Sequence, residues 1–308
     1  MKIPIFSKMW TKVILTSITL HLTLTSKIPH PSEFNNIKPA WDDPSLSQLF
    51  DSYPDILDAP RPPQLGRIIN GLSADLDQFP FAVMLLTKNG DNDTLVCGGS
   101  LIKMNWILTA AHCLAGKTEG FIFAGAVDMK NGTIAWRGKF NQSQMFIHPE
   151  YLFDQYVNND IALIKIPSRI PCNKHIGVID LPCSCDELAF VDGLEVTTMG
   201  FGQTNGTVAD VSLSMRFIEV EIMETCKCKK MFPFPIFDSM ICTSTMSGMS
   251  SCMGDSGSAL VAEIKGRKVQ IGVVSFGNRK CATGSDYPVV FVRISSYLDW
   301  ILGILYSN

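Results

Sequence analysis

The stretch Cys252-Met253-Gly254-Asp255-Ser256-Gly257-Ser258 sets one serine among glycines, which let backbone N–H groups approach a reacting carbonyl. A serine hydroxyl is too weak an acid to attack an amide unaided, so this chemistry needs a base to take its proton and a carboxylate to orient that base. Both stand upstream: His112 in Leu108-Thr109-Ala110-Ala111-His112-Cys113, and Asp160 in Asn158-Asn159-Asp160-Ile161-Ala162-Leu163. A Gly-Asp-Ser-Gly tetrad by itself is ordinary turn chemistry. Three such segments in the order histidine, aspartate, serine point instead to acyl transfer. Ser256 would be the nucleophile, His112 the base that later returns the proton to the leaving group, and Asp160 the group that fixes the imidazole tautomer. The N–H groups of Gly254 and Ser256 would form the oxyanion hole.

From about Arg67 to the C-terminus, these segments resemble the chymotrypsin (trypsin-like) family of secreted serine endopeptidases. The resemblance implies two six-stranded antiparallel β-barrels with the active site in the cleft between them. It also implies a protein or peptide substrate, an activating trypsin-like protease, protease inhibitors as further partners, and no cofactor or metal. The interval 123–144 offers no counterpart to the paired acidic residues that bind calcium in some relatives. Arg67-Ile68-Ile69-Asn70-Gly71 resembles the family's activation junction. Cleavage after Arg67 would free an Ile68 ammonium whose apolar side chain favours burial, and Asp255 is the carboxylate available to pair with it. That pairing would order the loop holding the Gly254 and Ser256 amides.

By the same resemblance, Cys97 pairs with Cys113, Cys228 with Cys242, and Cys252 with Cys281. The pairing of Cys172, Cys183, Cys185 and Cys226 stays open, with Cys226 to Cys183 or Cys185 as one option. The Cys-Ser-Cys and Cys-Lys-Cys spacings lack the two-residue spacer usual in zinc sites, which favours disulfides over metal. Ser250 falls at the base of the specificity pocket, where trypsin-like enzymes carry aspartate. A buried Lys or Arg side chain would lack a charge partner there. Gly277 leaves the entrance open, and Val289 narrows the opposite wall, so the expected preference is for uncharged apolar side chains, medium-sized or aromatic. A shift of alignment in the 281–287 loop would bring Asp286 into that wall instead. Ser258 and Ala259 stand where relatives commonly have Gly-Pro, and Phe201 and Phe276 replace common tryptophans. His148-Pro149 matches a structural surface motif and carries no catalytic role. Ser250 and the absence of several vertebrate-type cysteine pairs are similar to insect chymotrypsin-like enzymes.

The elements that must position these residues read as all-β. Short apolar runs at 81–86, 106–108, 161–166, 259–264, 269–275 and 289–294 are separated by Gly, Asn, Asp and Ser. The end of the chain changes period: Leu298, Ile301, Leu302 and Leu305 fall at helical spacing, with Ser295 or Ser296 placed to cap a C-terminal helix.

The chain has 308 residues, 46% hydrophobic and 18% charged, enough for a large core. Its net charge of -3 gives no electrostatic reason to expect nucleic acid. Lys2, Lys8 and Lys12 precede an apolar stretch, Val13 to Leu24, too short to span a bilayer comfortably, so residues 1–26 read as a signal peptide. No other segment is long and apolar enough to cross a membrane, and export to the extracellular space is expected. Ten cysteines and sequons at Asn92, Asn131, Asn141 and Asn205 agree with that compartment. Residues 27–67 are Pro- and Asp-rich without cysteine and read as a propeptide or linker that no disulfide would retain after cleavage; residues 68–308 form the protease-like domain. The competing reading is a secreted binding protein that keeps the scaffold, turns over little substrate and engages a partner through its loops. A narrow protease acting only on another zymogen is a third.

Overall fold

Val, Ile, Leu and Phe crowd the apolar runs of this chain. Branched and aromatic side chains pack well on a pleated surface, so these runs become strands wherever turn residues bound them. The computed structural model describes residues 71–89, 94–129, 133–154, 156–183, 186, 192–202, 214–245, 250–252, 254–277 and 287–308, with the backbone of Lys38–Pro39. The expectations for residues 1–26, for the rest of 27–67, and for Arg67, Ile68, Cys185, Cys281, Asp286 and the sequons at Asn92, Asn131 and Asn205 lie outside them.

The first half of the chain contributes β1 (Lys38–Pro39), β2 (Leu72–Ser73), β3 (Ala82–Lys88), β4 (Thr94–Lys103), β5 (Trp106–Thr109), β6 (Glu119–Asp128), β7 (Thr133–Asn141), β8 (Met145–Ile147), β9 (Leu152–Phe153), β10 (Val157–Asn158) and β11 (Ala162–Lys165). The second half contributes β12 (Glu195–Gly200), β13 (Arg216–Met223), β14 (Met240–Thr243), β15 (Ala259–Ile264), β16 (Arg267–Phe276) and β17 (Val289–Arg293). Helix α1 (Thr225–Met231) precedes β14, and α2 (Leu298–Ser307) ends the chain. Each expected apolar run overlaps a strand.

Two curved sheets result. In the order β12-β15-β16-β17-β14-β13 the second sheet closes on itself through the β12–β13 pairing, giving a six-stranded barrel with β2 attached at β13. The first runs β7-β6-β3-β4-β5-β11-β8 as a half-barrel, with β1 lying parallel on β4. One apolar cluster crosses the seam, joining Met84, Leu101 and Leu163 from the first sheet with Met199, Val261 and Val273 from the second. A buried polar link crosses it too: Ser100 Oγ on β4 donates to Gln270 Oε1 on β16 at 2.6 Å, while Gln270 N donates to Asp180 O at 2.9 Å.

The C-terminal helix differs in one detail from its sequence pattern. A 3₁₀ turn, Ile294–Tyr297, leads straight into α2, so the helix begins beyond Ser295 and Ser296, and Tyr297 stands at the cap without a capping side-chain bond. Ile301 is fully buried, but Leu302 is 39% exposed.

Gln270→Leu is expected to lower stability by about 1–3 kcal/mol, because the buried Ser100 hydroxyl then keeps only a long contact, 3.5 Å, to Leu108 O. Urea unfolding of the variant against the parent chain measures it.

Candidate active site

His112 lies in a 3₁₀ turn, Ala111–Cys113, directly after β5, and Asp160 lies just before β11, the strand that pairs with β5. Their closeness follows from that register: Thr109 faces Ala162 across the ladder, so the chain ends carrying the two side chains emerge side by side. Asp160 is buried and takes hydrogen bonds from His112 N (2.9 Å), from His112 Nδ1 (2.7 Å) and from Ser275 Oγ (2.5 Å). Burial pushes its carboxyl upward, but the imidazole and these donors outweigh burial and hold it below the usual carboxylate range. With Nδ1 facing an ionised carboxylate, Nε2 is the nitrogen left to exchange protons.

Ser256 reaches this pair because its turn is pressed onto the His112-bearing strands. Gly98 N on β4 donates to Ser256 O at 2.7 Å. A Cβ on Gly257 (φ +83°) would stand 2.2 Å from Thr109 Oγ1 and 2.5 Å from Gly98 O, so a side chain there would force the turn away from His112. Within the turn, the amides of Asp255, Gly257 and Ser258 donate to Cys252 O, Val274 O and Asp255 O. Those of Gly254 and Ser256 make no hydrogen bond among the described residues. The two uncommitted donors are the ones an oxyanion would need, and the positive φ of Gly254 (+95°) is part of that turn's path. Ser256 Oγ is buried and has no hydrogen-bond partner among the described residues, so its link to the imidazole is not closed here; such contacts often tighten only around substrate.

The family described as Trypsin matches residues 68–301. A collagenase of Hypoderma lineatum is 34% identical over 238 residues, covering 77% of this chain and 86% of that protein. Chymotrypsin-like elastase family member 1 of Felis catus is 28% identical over 245 residues, covering 79% and 91%. The chain belongs to the chymotrypsin-like family of serine proteases. It is a serine endopeptidase, a hydrolase of a family whose members are typically secreted, and no described helix is long and apolar enough to cross a membrane.

The protease's remaining site residues fall into three groups. Asp255 is buried and takes hydrogen bonds from Gly202 N and Cys252 N, each at 2.8 Å, with no cation beside it among the described residues. Burial pushes its carboxyl up to about 6, against the pull of those two amides. A Cβ on Gly200 or Gly202 would come within 2.1 or 2.5 Å of the carboxyl oxygens, so two glycines shape its niche. In the expected pocket, Ser250 Oγ is buried without a hydrogen-bond partner among the described residues, and the Val289 side chain lies 3.5 Å from where a Gly277 Cβ would point. Phe276, beside them, packs on Phe232 and Phe234 at 5.8 and 5.7 Å between ring centres.

Cys97–Cys113 and Cys228–Cys242 are disulfides, and Cys183 and Cys252 are bonded to partners outside the described residues. Cys226 is a free, exposed thiol that donates to Glu224, which removes the option of pairing it with Cys183 or Cys185; on α1 it faces solvent while Cys228 faces inward to β14. Cys172 is also free and exposed. Cys97, His112 and Cys113 cluster as metal ligands do, but the disulfide consumes both sulfurs. His148 packs against Tyr297 and Trp300 and accepts from Glu150 N.

Sequence reasoning missed Ser275 as a donor to Asp160, and it missed Tyr297, whose hydroxyl donates to Asn159 Oδ1 at 2.8 Å beside Asp160. Ser258, where relatives commonly have glycine, is accommodated: Gly98 and Gly200 leave room for its side chain, and Ser258 N closes the turn onto Asp255 O.

An acid whose folded pKa is raised contributes stability that is full below its unfolded value, here 3.8, and is lost as pH rises through about 6. That difference corresponds to about 3 kcal/mol. The full-length chain is expected to lose about this much over that window relative to Asp255→Asn, read from urea midpoints at stepped pH.

Proposed function

We propose that this protease is a secreted zymogen, activated by cleavage after Arg67, that hydrolyses peptide bonds through Ser256, His112 and Asp160. The observation that carries the proposal is the buried His112–Asp160 couple set against a turn whose Gly254 and Ser256 amides make no hydrogen bond among the described residues. Ser256 Oγ attacks the carbonyl carbon as His112 Nε2 takes its proton; the carbonyl oxygen gains charge against the two amides. His112 then protonates the leaving amine, and water resolves the acyl-enzyme by the same steps.

Asp255 gives the activation step its driving force. A carboxyl held near 6 by burial gains from any cation brought beside it, and the Ile68 ammonium is the one that cleavage creates. An activating trypsin-like protease is the partner this requires. Protein-based inhibitors that mimic the substrate would bind the same cleft.

The uncharged base at Ser250 and the Val289 side chain against Gly277 support cleavage after uncharged apolar or aromatic residues. The collagenase and elastase names belong to the relatives, and both are compatible with an uncharged pocket.

A fluorophosphonate probe tests the mechanism. Label located on Ser256 by mass spectrometry, appearing only after tryptic cleavage at Arg67 and absent in Ser256→Ala, is the expected result. No label with Ile68 verified at the new N-terminus would overturn the reading in favour of a silent binding scaffold. Val289→Gly is expected to raise kcat/KM for bulky aromatic residues over valine by about tenfold in a peptide library, since a few methylene groups of pocket volume carry that much discrimination.

A further inference from the structure

Lys38 and Pro39 lie in the segment read from sequence as a propeptide, yet their backbone forms a parallel bridge with Leu95 and Val96 of β4. The position of that bridge gives it meaning. Backbone polar groups of successive strand residues point to alternate edges. Gly98 N points away from β3, because it donates to Ser256 O, and Gly98 O on the same edge accepts from Thr109 Oγ1 at 2.8 Å. Leu101 N points the other way, to Phe81 O. Val96, two residues before Gly98, therefore presents its N–H and C=O on the Ser256 edge, about 7 Å along the strand from Gly98. β5 covers this edge only from Ser100 onward, so among the described strands only Lys38–Pro39 pairs with it at Val96.

We propose that in the uncleaved chain the β4 edge at Leu95–Val96, beside Ser256, is held by the chain's own Lys38–Pro39 segment, which thereby obstructs the cleft. An extended polypeptide reaching Ser256 must run along the walls of the cleft, and a strand already seated on this wall denies it one of them. Pro39 lacks an N–H, so the added strand is short: it docks without offering a template for further pairing. Residues 27–67 contain no cysteine, so cleavage at Arg67 leaves the segment without a covalent tether, and it departs once it no longer benefits from being tethered.

The obstruction rests on Ser256 being the nucleophile, whereas the docking does not, and the test separates them. Amide exchange at Val96 is followed by NMR in the full-length Ser256→Ala chain with and without Lys38→Pro, which removes the donor at position 38. Exchange at least about tenfold slower with Lys38 present supports docking; equal exchange overturns it, whatever the catalytic outcome. In the second arm, a synthetic peptide of residues 27–67 is added to the cleaved wild-type enzyme. Competitive inhibition that weakens about tenfold in the Lys38→Pro peptide supports obstruction. Equal inhibition by both peptides, or none by either in an enzyme that turns over substrate, overturns it.

Discussion

The ionised carboxylate of Asp160, sealed inside the protein, is the constraint on which the site depends. An uncompensated buried charge is costly, so it persists only if donors surround it. Here the donors come from both halves of the chain: the amide and imidazole of His112 from the half-barrel, the hydroxyl of Ser275 from the closed barrel. The charge can be satisfied only when both halves are seated against each other, so the seam and the site are one structure. The Gly98 to Ser256 bond and the Ser100 to Gln270 bond then fix the remaining freedom of that seam.

Two buried carboxylates stand near the same serine and are treated in opposite ways. Asp160 is surrounded by a cation-forming ring and two further donors, and its acidity is strengthened. Asp255 meets two amides and no cation among the described residues, and its acidity is weakened. The difference lies in surroundings, since the side chains are identical. Under the proposed cleavage after Arg67, the missing cation would come from the new Ile68 terminus, and a local electrostatic deficit would serve as a switch.

Much of this was legible in the chain because the chemistry depends on residue type within short segments. His112, Asp160 and Ser256 each sit in a run whose neighbours give them away, and strand-forming runs are local patterns too. What was not legible depends on distant partners. Ser275 is 115 residues from Asp160, and nothing next to Ser275 announces the contact. Gln270 reads as a polar interruption in an apolar strand until Ser100, 170 residues away, is seen to meet it. The serines before α2 fit a cap by local rules, but the 3₁₀ turn carried the helix start past them, and Cys226 fitted a disulfide until the helix turned it outward.

The contact between Gly98 and Ser258 has a wider consequence. A Cβ at position 98 would stand 1.9 Å from Ser258 Oγ and 3.0 Å from its Cβ, and Ser258 is buried. The two positions share one small volume, and the serine at 258 commits the chain to glycine at 98, where a Cβ would also stand 3.1 Å from the Ser258 Cα. A methyl group added on one barrel at position 98 would therefore press on the turn of the other barrel that carries Ser256.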